Sequence, residues 1–179
     1  MADSNDFKTH IEHSWSRLEL HRTQRVFPDR QRQTVKYIHH PGAVVIVPVS
    51  EEGKLVLVRQ YRPAVDAWVV EFPAGTLEEN EASPLHCAQR ELQEEANLSA
   101  DKWQLIGKLY PAVGFCDEVQ HIFAAHDLSF KQGECDEDEF IEVIEMDIEQ
   151  FEQAVKQGDV ADAKTIAAFT QARLAGLLA

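Results

Sequence analysis

One segment, Pro84–Ala96, constrains the fold more than any other, because helix signals bound it at both ends. Ser83 is a natural N-cap, and Pro84 suits the first turn of a helix, where no N–H is needed. No glycine or further proline follows before Asn97, a residue that tolerates the left-handed conformation in which many helices end. The sequence therefore predicts a helix over Pro84–Ala96.

Three carboxylates lie on one face of this predicted helix. Glu91, Glu94 and Glu95 are spaced by three and four residues, which brings their side chains together. The adjoining apolar stripe, which would pack on a core, consists of Leu85, Ala88, Leu92 and Ala96. A divalent cation with oxygen ligands, magnesium or manganese, would reverse the repulsion among the carboxylates. Taken alone, the pattern is more often a solvated acidic face.

Apolar runs before and after the helix predict strands. They are expected at Ala43–Val49, Lys54–Tyr61, Trp68–Phe72, Leu105–Leu109, Val119–Ala125 and Phe140–Met146. Gly53 would join the first two strands as a hairpin. Helices are expected near Ile148–Lys156 and Asp162–Leu178, the latter with Ile166, Phe169 and Leu174 toward the core. Strands with interspersed helices indicate an α/β or α+β sandwich.

The N-terminal stretch, residues 1–40, is polar and mixed, and a short helix and a meandering hairpin are expected there. It would be an antiparallel extension, followed by a single domain over residues 41–179. A length of 179 residues suits this organisation.

Charge and cysteine content exclude several classes of protein. The chain has 17 basic and 31 acidic residues and a net charge of -14, so a basic patch for nucleic acid or anionic lipid is not expected. Three scattered cysteines without a Cys-x-x-Cys pair argue against a disulfide framework or zinc site and fit the cytoplasm. No apolar run predicts a signal peptide or a membrane span.

The helix lies within a longer motif that resembles the Nudix box. The family pattern is a glycine, five residues, a glutamate, seven residues, then Arg-Glu-apolar-x-Glu-Glu-x-Gly-apolar. The matching residues are Gly75, Glu81, Arg90, Glu91, Leu92, Glu94, Glu95 and Leu98. This resemblance implies a metal-dependent pyrophosphate hydrolase with an α/β/α sandwich and a mixed sheet.

Two positions depart from the family pattern. Eight residues separate Glu81 from Arg90 where the family has seven, which puts the role of Glu81 in doubt. The extra residue falls before Ser83, outside the helix, so the three later glutamates should keep their geometry. Asn97 replaces the glycine of the family, and the turn should survive because Asn tolerates positive φ.

Further segments resemble the branch of this family that hydrolyses ADP-ribose and other nucleoside diphosphate sugars. They are LVRQYR at 57–62, EFPAG at 71–75, GFCDE at 114–118, DEFIEV at 138–143 and DAKTI at 162–166. The branch implies ADP-ribose as substrate, AMP and ribose 5-phosphate as products, and a homodimer to whose interface residues 1–40 would contribute. GDP-mannose hydrolysis and a nucleotide sensor that does not cut its ligand are the alternatives.

The resemblance also implies roles for individual residues. Metal ligands would be Glu91, Glu95 and the carbonyl of Ala74, with Glu94 as a further ligand or water-holder. Arg90 would pair with these carboxylates and orient them; the alternative is an ordinary surface ion pair.

The remaining implied roles concern the base and the substrate. The catalytic base would come from the acidic run at 134–139, with Glu139 first and Glu137 second; a solvated loop is the alternative. Arg62 and Arg59 would contact substrate phosphate, and Glu71 would contact ribose or a partner arginine. Structural ion pairs are the alternative for all three residues.

Overall fold

The computed structural model describes residues 8–133 and 140–178. Its elements in chain order are β1 (His10–Trp15), β2 (Leu18–Val26), β3 (Arg32–His39), β4 (Ala43–Pro48), β5 (Leu55–Arg62), β6 (Ala67–Glu71), β7 (Ala74–Thr76), α1 (Pro84–Ala96), β8 (Leu98–Leu109), β9 (Gln120–Phe130), β10 (Ile141–Met146), α2 (Ile148–Gln157) and α3 (Ala163–Leu174). No helix among the described residues is long and apolar enough to cross a membrane.

The chain divides into two compact units. The smaller unit comprises the N-terminal stretch through Pro41 together with Tyr110–Val119. Within it, β1, β2 and β3 form an antiparallel sheet, and Ile38 donates a backbone hydrogen bond of 2.8 Å to the carbonyl of Phe115. The expected hairpin is thus part of a three-stranded meander. The expected short helix is wrong for residues 8–40, where alternating cross-strand pairs form instead.

The larger unit is built on a mixed sheet of order β7-β4-β9-β8, in which β4 and β9 are parallel. Side chains of β4 alternate between two cores. Val44 and Ile46 pack with α1, whereas Val45 and Val47 pack with residues of α2 and α3. The sheet therefore lies between helices on both faces, which confirms the predicted α/β/α sandwich.

A second sheet of the larger unit has the order β10-β5-β6. The predicted hairpin between Ala43–Val49 and Lys54–Tyr61 is therefore wrong, since β4 and β5 belong to different sheets and share only an isolated bridge between Val49 and Leu55. The physical reason is edge pairing: β7 and β9 occupy both edges of β4, and β10 and β6 occupy both edges of β5.

Strand β8 and helix α3 also differ from what the sequence predicts. Strand β8 begins at Leu98 and not at Leu105, because its first half pairs with an extended β9 that runs to Phe130. On α3 the expected inward position of Leu174 is wrong, since this side chain is 83% exposed. The buried stripe of α3 is formed by Thr165, Ala168, Phe169 and Ala172.

Candidate active site

Helix α1 begins and ends where its caps predict. The Oγ of Ser83 accepts a hydrogen bond of 3.2 Å from the backbone N–H of His86. Asn97 has a φ of 54°, the predicted left-handed conformation, and its N–H donates to the carbonyl of Gln93 at 3.0 Å. These caps fix the two ends of the helix, and its last two turns carry the three glutamates.

Two of those glutamates are nearly buried against strand β7. Glu91 is 8% exposed and Glu95 is 5% exposed. The Oε2 of Glu95 accepts a hydrogen bond of 3.0 Å from the N–H of Ala74. Gly75 lies against the carboxylate of Glu91, while the side chain of Glu94 is 35% exposed. The helix thus holds two carboxylates beside the Ala74–Gly75 backbone and a third at the rim.

Arg90 links the carboxylates. Its Nη1 lies 2.8 Å from Glu91 and 2.7 Å from Glu94, and its Nε lies 3.1 Å from Glu81. Burial alone would lower the pKa of Arg90, but the hydrogen bond to Glu81 and the charges of Glu91 and Glu94 raise it above its ordinary value. The extra residue in the motif therefore leaves Glu81 within reach of Arg90, and the guanidinium stays charged.

The cluster carries more negative than positive charge. Four carboxylates, those of Glu81, Glu91, Glu94 and Glu95, belong to it, together with the single guanidinium of Arg90. Magnesium and manganese prefer oxygen ligands, and the carboxylates of this cluster outnumber its positive charges. Within the described ranges no three His, Cys, Asp or Glu side chains form a complete metal site. A cation would therefore also need backbone, water or substrate oxygens as ligands.

Arg62 and Glu71 form a two-point ion pair. The Nε and Nη2 of Arg62 each donate to a different oxygen of Glu71 at 2.7 Å. Lys164 of α3 also donates to Glu71. Burial alone would raise the pKa of Glu71, but the hydrogen bond from Arg62 and the charge of Lys164 lower it below its ordinary value. The sequence alone did not indicate a role for Lys164, although this residue lies in the DAKTI segment at 162–166.

Arg59 lies elsewhere on the same strand. Its Nη1 is 3.1 Å from the carboxylate of Glu142, and its guanidinium lies 4.9 Å from the ring centroid of Trp68. The two arginines proposed to contact phosphate thus differ: Arg62 is held by a buried carboxylate, whereas Arg59 belongs to an exposed group on β5, β6 and β10.

The two candidate bases, Glu137 and Glu139, lie outside the described residues, whereas the residues that flank their segment are described. Before it, the N–H of Gly133 donates to Oδ1 of Asn97 at 3.0 Å. After it, the carbonyl of Phe140 accepts from the N–H of Tyr61 at 3.2 Å. The flanking residues are therefore attached to the end of α1 and to strand β5.

An open groove of about 550 Å³ borders the outer side of α1. Arg90, Gln93 and Glu94 line it from the helix, and Lys131 and Gly133 line it from the chain after β9. The rim glutamate and a lysine therefore face the same groove, which offers space for a polar ligand next to the carboxylate cluster.

The chain is similar to known proteins over most of its length. The NUDIX domain family matches residues 39–169. The chain is 41% identical over 140 residues to a Bacillus subtilis protein named ADP-ribose pyrophosphatase, covering 77% of this chain and 75% of that protein. It is 36% identical to a Bacillus methanolicus protein named methanol dehydrogenase activator, covering 79% and 77% of the two chains.

A further relative and a solved structure extend the comparison. A Cronobacter sakazakii protein named GDP-mannose pyrophosphatase is 33% identical, covering 76% of this chain and 75% of its own. A solved structure described as an ADP compounds hydrolase matches with a TM-score of 0.80 at 22% identity, covering 93% of this chain and 90% of that chain. At 22% identity the structural match shows a shared fold only.

Proposed function

The chain belongs to the NUDIX domain family, and on that premise we propose that it hydrolyses the pyrophosphate of a nucleoside diphosphate sugar. The membership confirms the resemblance seen in the sequence. The proposed substrate is ADP-ribose and the proposed products are AMP and ribose 5-phosphate, in line with the relative named ADP-ribose pyrophosphatase.

The observation that carries this proposal is the position of Glu91 and Glu95. Both carboxylates are nearly buried and both lie against the Ala74–Gly75 backbone. Burial of two like charges is unfavourable unless positive charge accompanies them. Arg90, 2.8 Å from Glu91, supplies one positive charge, and a divalent cation would add to it. A solvated acidic face, the alternative for this pattern, would leave both side chains in water.

The residues that would hold a divalent cation are Glu91, Glu95, Glu94 and the carbonyl of Ala74. We propose magnesium, with manganese as the substitute, because all of these ligands are oxygen atoms. When bound, such a cation activates a water molecule and offsets the charge of phosphate oxygens. Arg90 keeps Glu91 and Glu94 in place through its two short ion pairs.

The remaining roles fall to residues around the cluster. Arg62 would bind a substrate phosphate, since its planar guanidinium presents several donors in one plane and Glu71 orients it. We propose that Arg59 also contacts phosphate, from the exposed group on β5, β6 and β10. Glu139, with Glu137 as second choice, would take the proton of the attacking water. The oxygen of that water would bond to phosphorus while the bond from phosphorus to the bridging oxygen breaks.

GDP-mannose is the second candidate substrate, and the relative named GDP-mannose pyrophosphatase favours it. A sensor that binds a nucleotide without cutting it is the alternative from another class. The paired Glu91 and Glu95 count against a sensor, because binding alone does not require a full set of metal ligands.

Product analysis with magnesium tests the proposal. The panel contains ADP-ribose, GDP-mannose, UDP-glucose and nucleoside triphosphates, and the variants are Glu95→Gln and, as a matched control, Glu149→Gln on the exposed side of α2. We expect AMP from ADP-ribose with the wild type and the control, and almost none with Glu95→Gln. Faster release of GMP from GDP-mannose would favour the second candidate. Thermal stabilisation without turnover of any compound would favour the sensor.

We further propose that the protein is a cytoplasmic homodimer and that residues 1–40 contribute to its interface. Support comes from Ile11, Trp15 and Val26, which are 56%, 42% and 52% exposed on the three-stranded sheet of the smaller unit. Light scattering measures the mass in solution, and a monomeric mass would contradict the dimer. The thiols of Cys87 and Cys116 are free.

A further inference from the structure

The first turn of α3 has contacts that the proposed function does not yet use. Asp162 caps the helix by accepting from the N–H of Thr165 at 2.9 Å, and it also accepts from Nζ of Lys164 at 3.1 Å. Lys164 donates to Oε2 of Glu71 as well. Lys164 thus links the first turn of α3 to the end of β6, about 90 positions earlier in the chain.

The three members of this chain of ion pairs differ in exposure. The side chain of Glu71 is 3% exposed, that of Lys164 is 15% exposed and that of Arg62 is 39% exposed. The buried carboxylate therefore lies between two cations, of which Arg62 is the one at the surface. Because Glu71 accepts from both, the lysine limits where the carboxylate can lie, and the carboxylate sets the plane of the guanidinium.

We propose that Lys164 is a positioning residue for substrate binding, which acts by holding Glu71 and thereby orienting the guanidinium of Arg62. This inference rests on the proposed function, which assigns a substrate phosphate to Arg62. A planar guanidinium binds phosphate well only in a limited range of orientations. Fixing that orientation before the substrate arrives reduces the cost of ordering the arginine on binding.

A purely structural role for Lys164 makes a different prediction. In that case Lys164 would only anchor α3 to β6, its loss would lower the melting temperature, and the folded fraction would bind substrate normally. A positioning role raises the KM of the folded enzyme and changes kcat less, since the carboxylates of α1 are not part of this chain of contacts.

Steady-state kinetics with ADP-ribose on the full chain separate the two roles. Lys164→Met keeps the length of the side chain and removes its charge, and we expect KM to rise about tenfold with kcat changed less than about threefold. Lys164→Arg should recover KM to within about threefold of wild type, because it restores a donor to Glu71. Lys156→Met, on an exposed position of α2, is the matched control and should leave both constants unchanged.

A double variant identifies the route of the effect. If Lys164 acts through Arg62, adding Lys164→Met to Arg62→Ala should change KM less than about twofold. An additional increase of the full single-variant size would overturn the proposal, as would a KM that Lys164→Met leaves at the wild-type value.

The wild type tests the proposed function separately. If ADP-ribose or GDP-mannose raises its melting temperature and neither is cleaved, the hydrolase proposal fails, and the same variants are compared by their dissociation constants for the compound that binds, with the same expected ratios. If the wild type neither cleaves nor binds ADP-ribose or GDP-mannose, both proposals are overturned.

Discussion

A β-carbon on Gly75 would lie 1.8 Å from Cδ of Glu91, so the strand and the carboxylate can lie this close only because residue 75 has no side chain. Gly75→Ala must therefore displace Glu91, and we expect a loss of about 1–3 kcal/mol in the free energy of unfolding and a large loss of activity. Urea denaturation and product release measure the two effects. Gly114→Ala is the control, since a β-carbon there meets nothing within 4 Å and stability should not change.

Magnesium should raise the melting temperature of the wild type, because a cation that binds the folded carboxylate cluster stabilises it. A concentration of 100 times the dissociation constant corresponds to about 2.7 kcal/mol. We expect chelation to reverse the shift and Glu91→Gln to reduce it strongly, whereas Glu149→Gln should retain it. Equal shifts in all three proteins would contradict a metal site at Glu91.

Asn97 both ends α1 and accepts a hydrogen bond from Gly133, so two substitutions separate these roles. Asn97→Ala keeps the left-handed conformation but removes the polar side chain that makes it tolerable, and it should lower the free energy of unfolding by about 1–2 kcal/mol. Asn97→Gly keeps the turn and removes the side-chain acceptor, so the free energy of unfolding should fall less than in Asn97→Ala. The order of midpoints in urea checks this, and an unchanged midpoint for Asn97→Ala would contradict it.

Because the ionisation of Glu71 is linked to folding, the free energy of unfolding should depend on pH in the acid range. Burial would raise its pKa, but the hydrogen bond from Arg62 and the charge of Lys164 lower it below the ordinary value. The ionised carboxylate therefore stabilises the fold fully above the unfolded pKa of about 4.3, and that stabilisation disappears as the pH falls through the lower folded value. Denaturation midpoints measured from pH 6 downward should fall more steeply for the wild type than for Glu71→Gln. Parallel curves would contradict this assignment.

Thr165 should contribute to stability through one buried hydrogen bond. Its Oγ1 accepts from the N–H of Phe72 at 2.9 Å, and both residues are fully buried. Thr165→Val keeps the shape and leaves that N–H without an acceptor, which should cost about 1–3 kcal/mol. Thr165→Ser keeps the acceptor and should cost less. Equal melting temperatures for the two variants would show that this hydrogen bond contributes little.

Local signals predicted α1 completely. Ser83 and Asn97 bound the helix in the sequence and cap it in the structure, because capping depends only on residues within one turn. The spacing of Glu91, Glu94 and Glu95 also placed the carboxylates on adjacent turns. Spacing did not reveal that Glu91 and Glu95 are buried while Glu94 is at the rim, since that depends on strand β7.

Long-range pairing could not be predicted in the same way. Two apolar runs separated by Gly53 are typical of a hairpin, yet each needed partners on both edges, and those came from later strands. Lys164 and Glu71 are far apart in sequence, so no local pattern links them. The polar start of β8 was likewise missed, because its pairing with β9 and not its composition makes it a strand.

Strand β4 contributes alternate side chains to two cores, and this restricts where the chain can accept an insertion or a deletion. Insertion or deletion of one residue within Ala43–Pro48 would exchange the two sets of side chains and leave both cores badly packed. The extra residue before Ser83 lies in a loop and disturbs neither core. Relatives of this chain should therefore differ in length between Glu81 and Ser83, whereas β4 should keep the same number of residues in all of them.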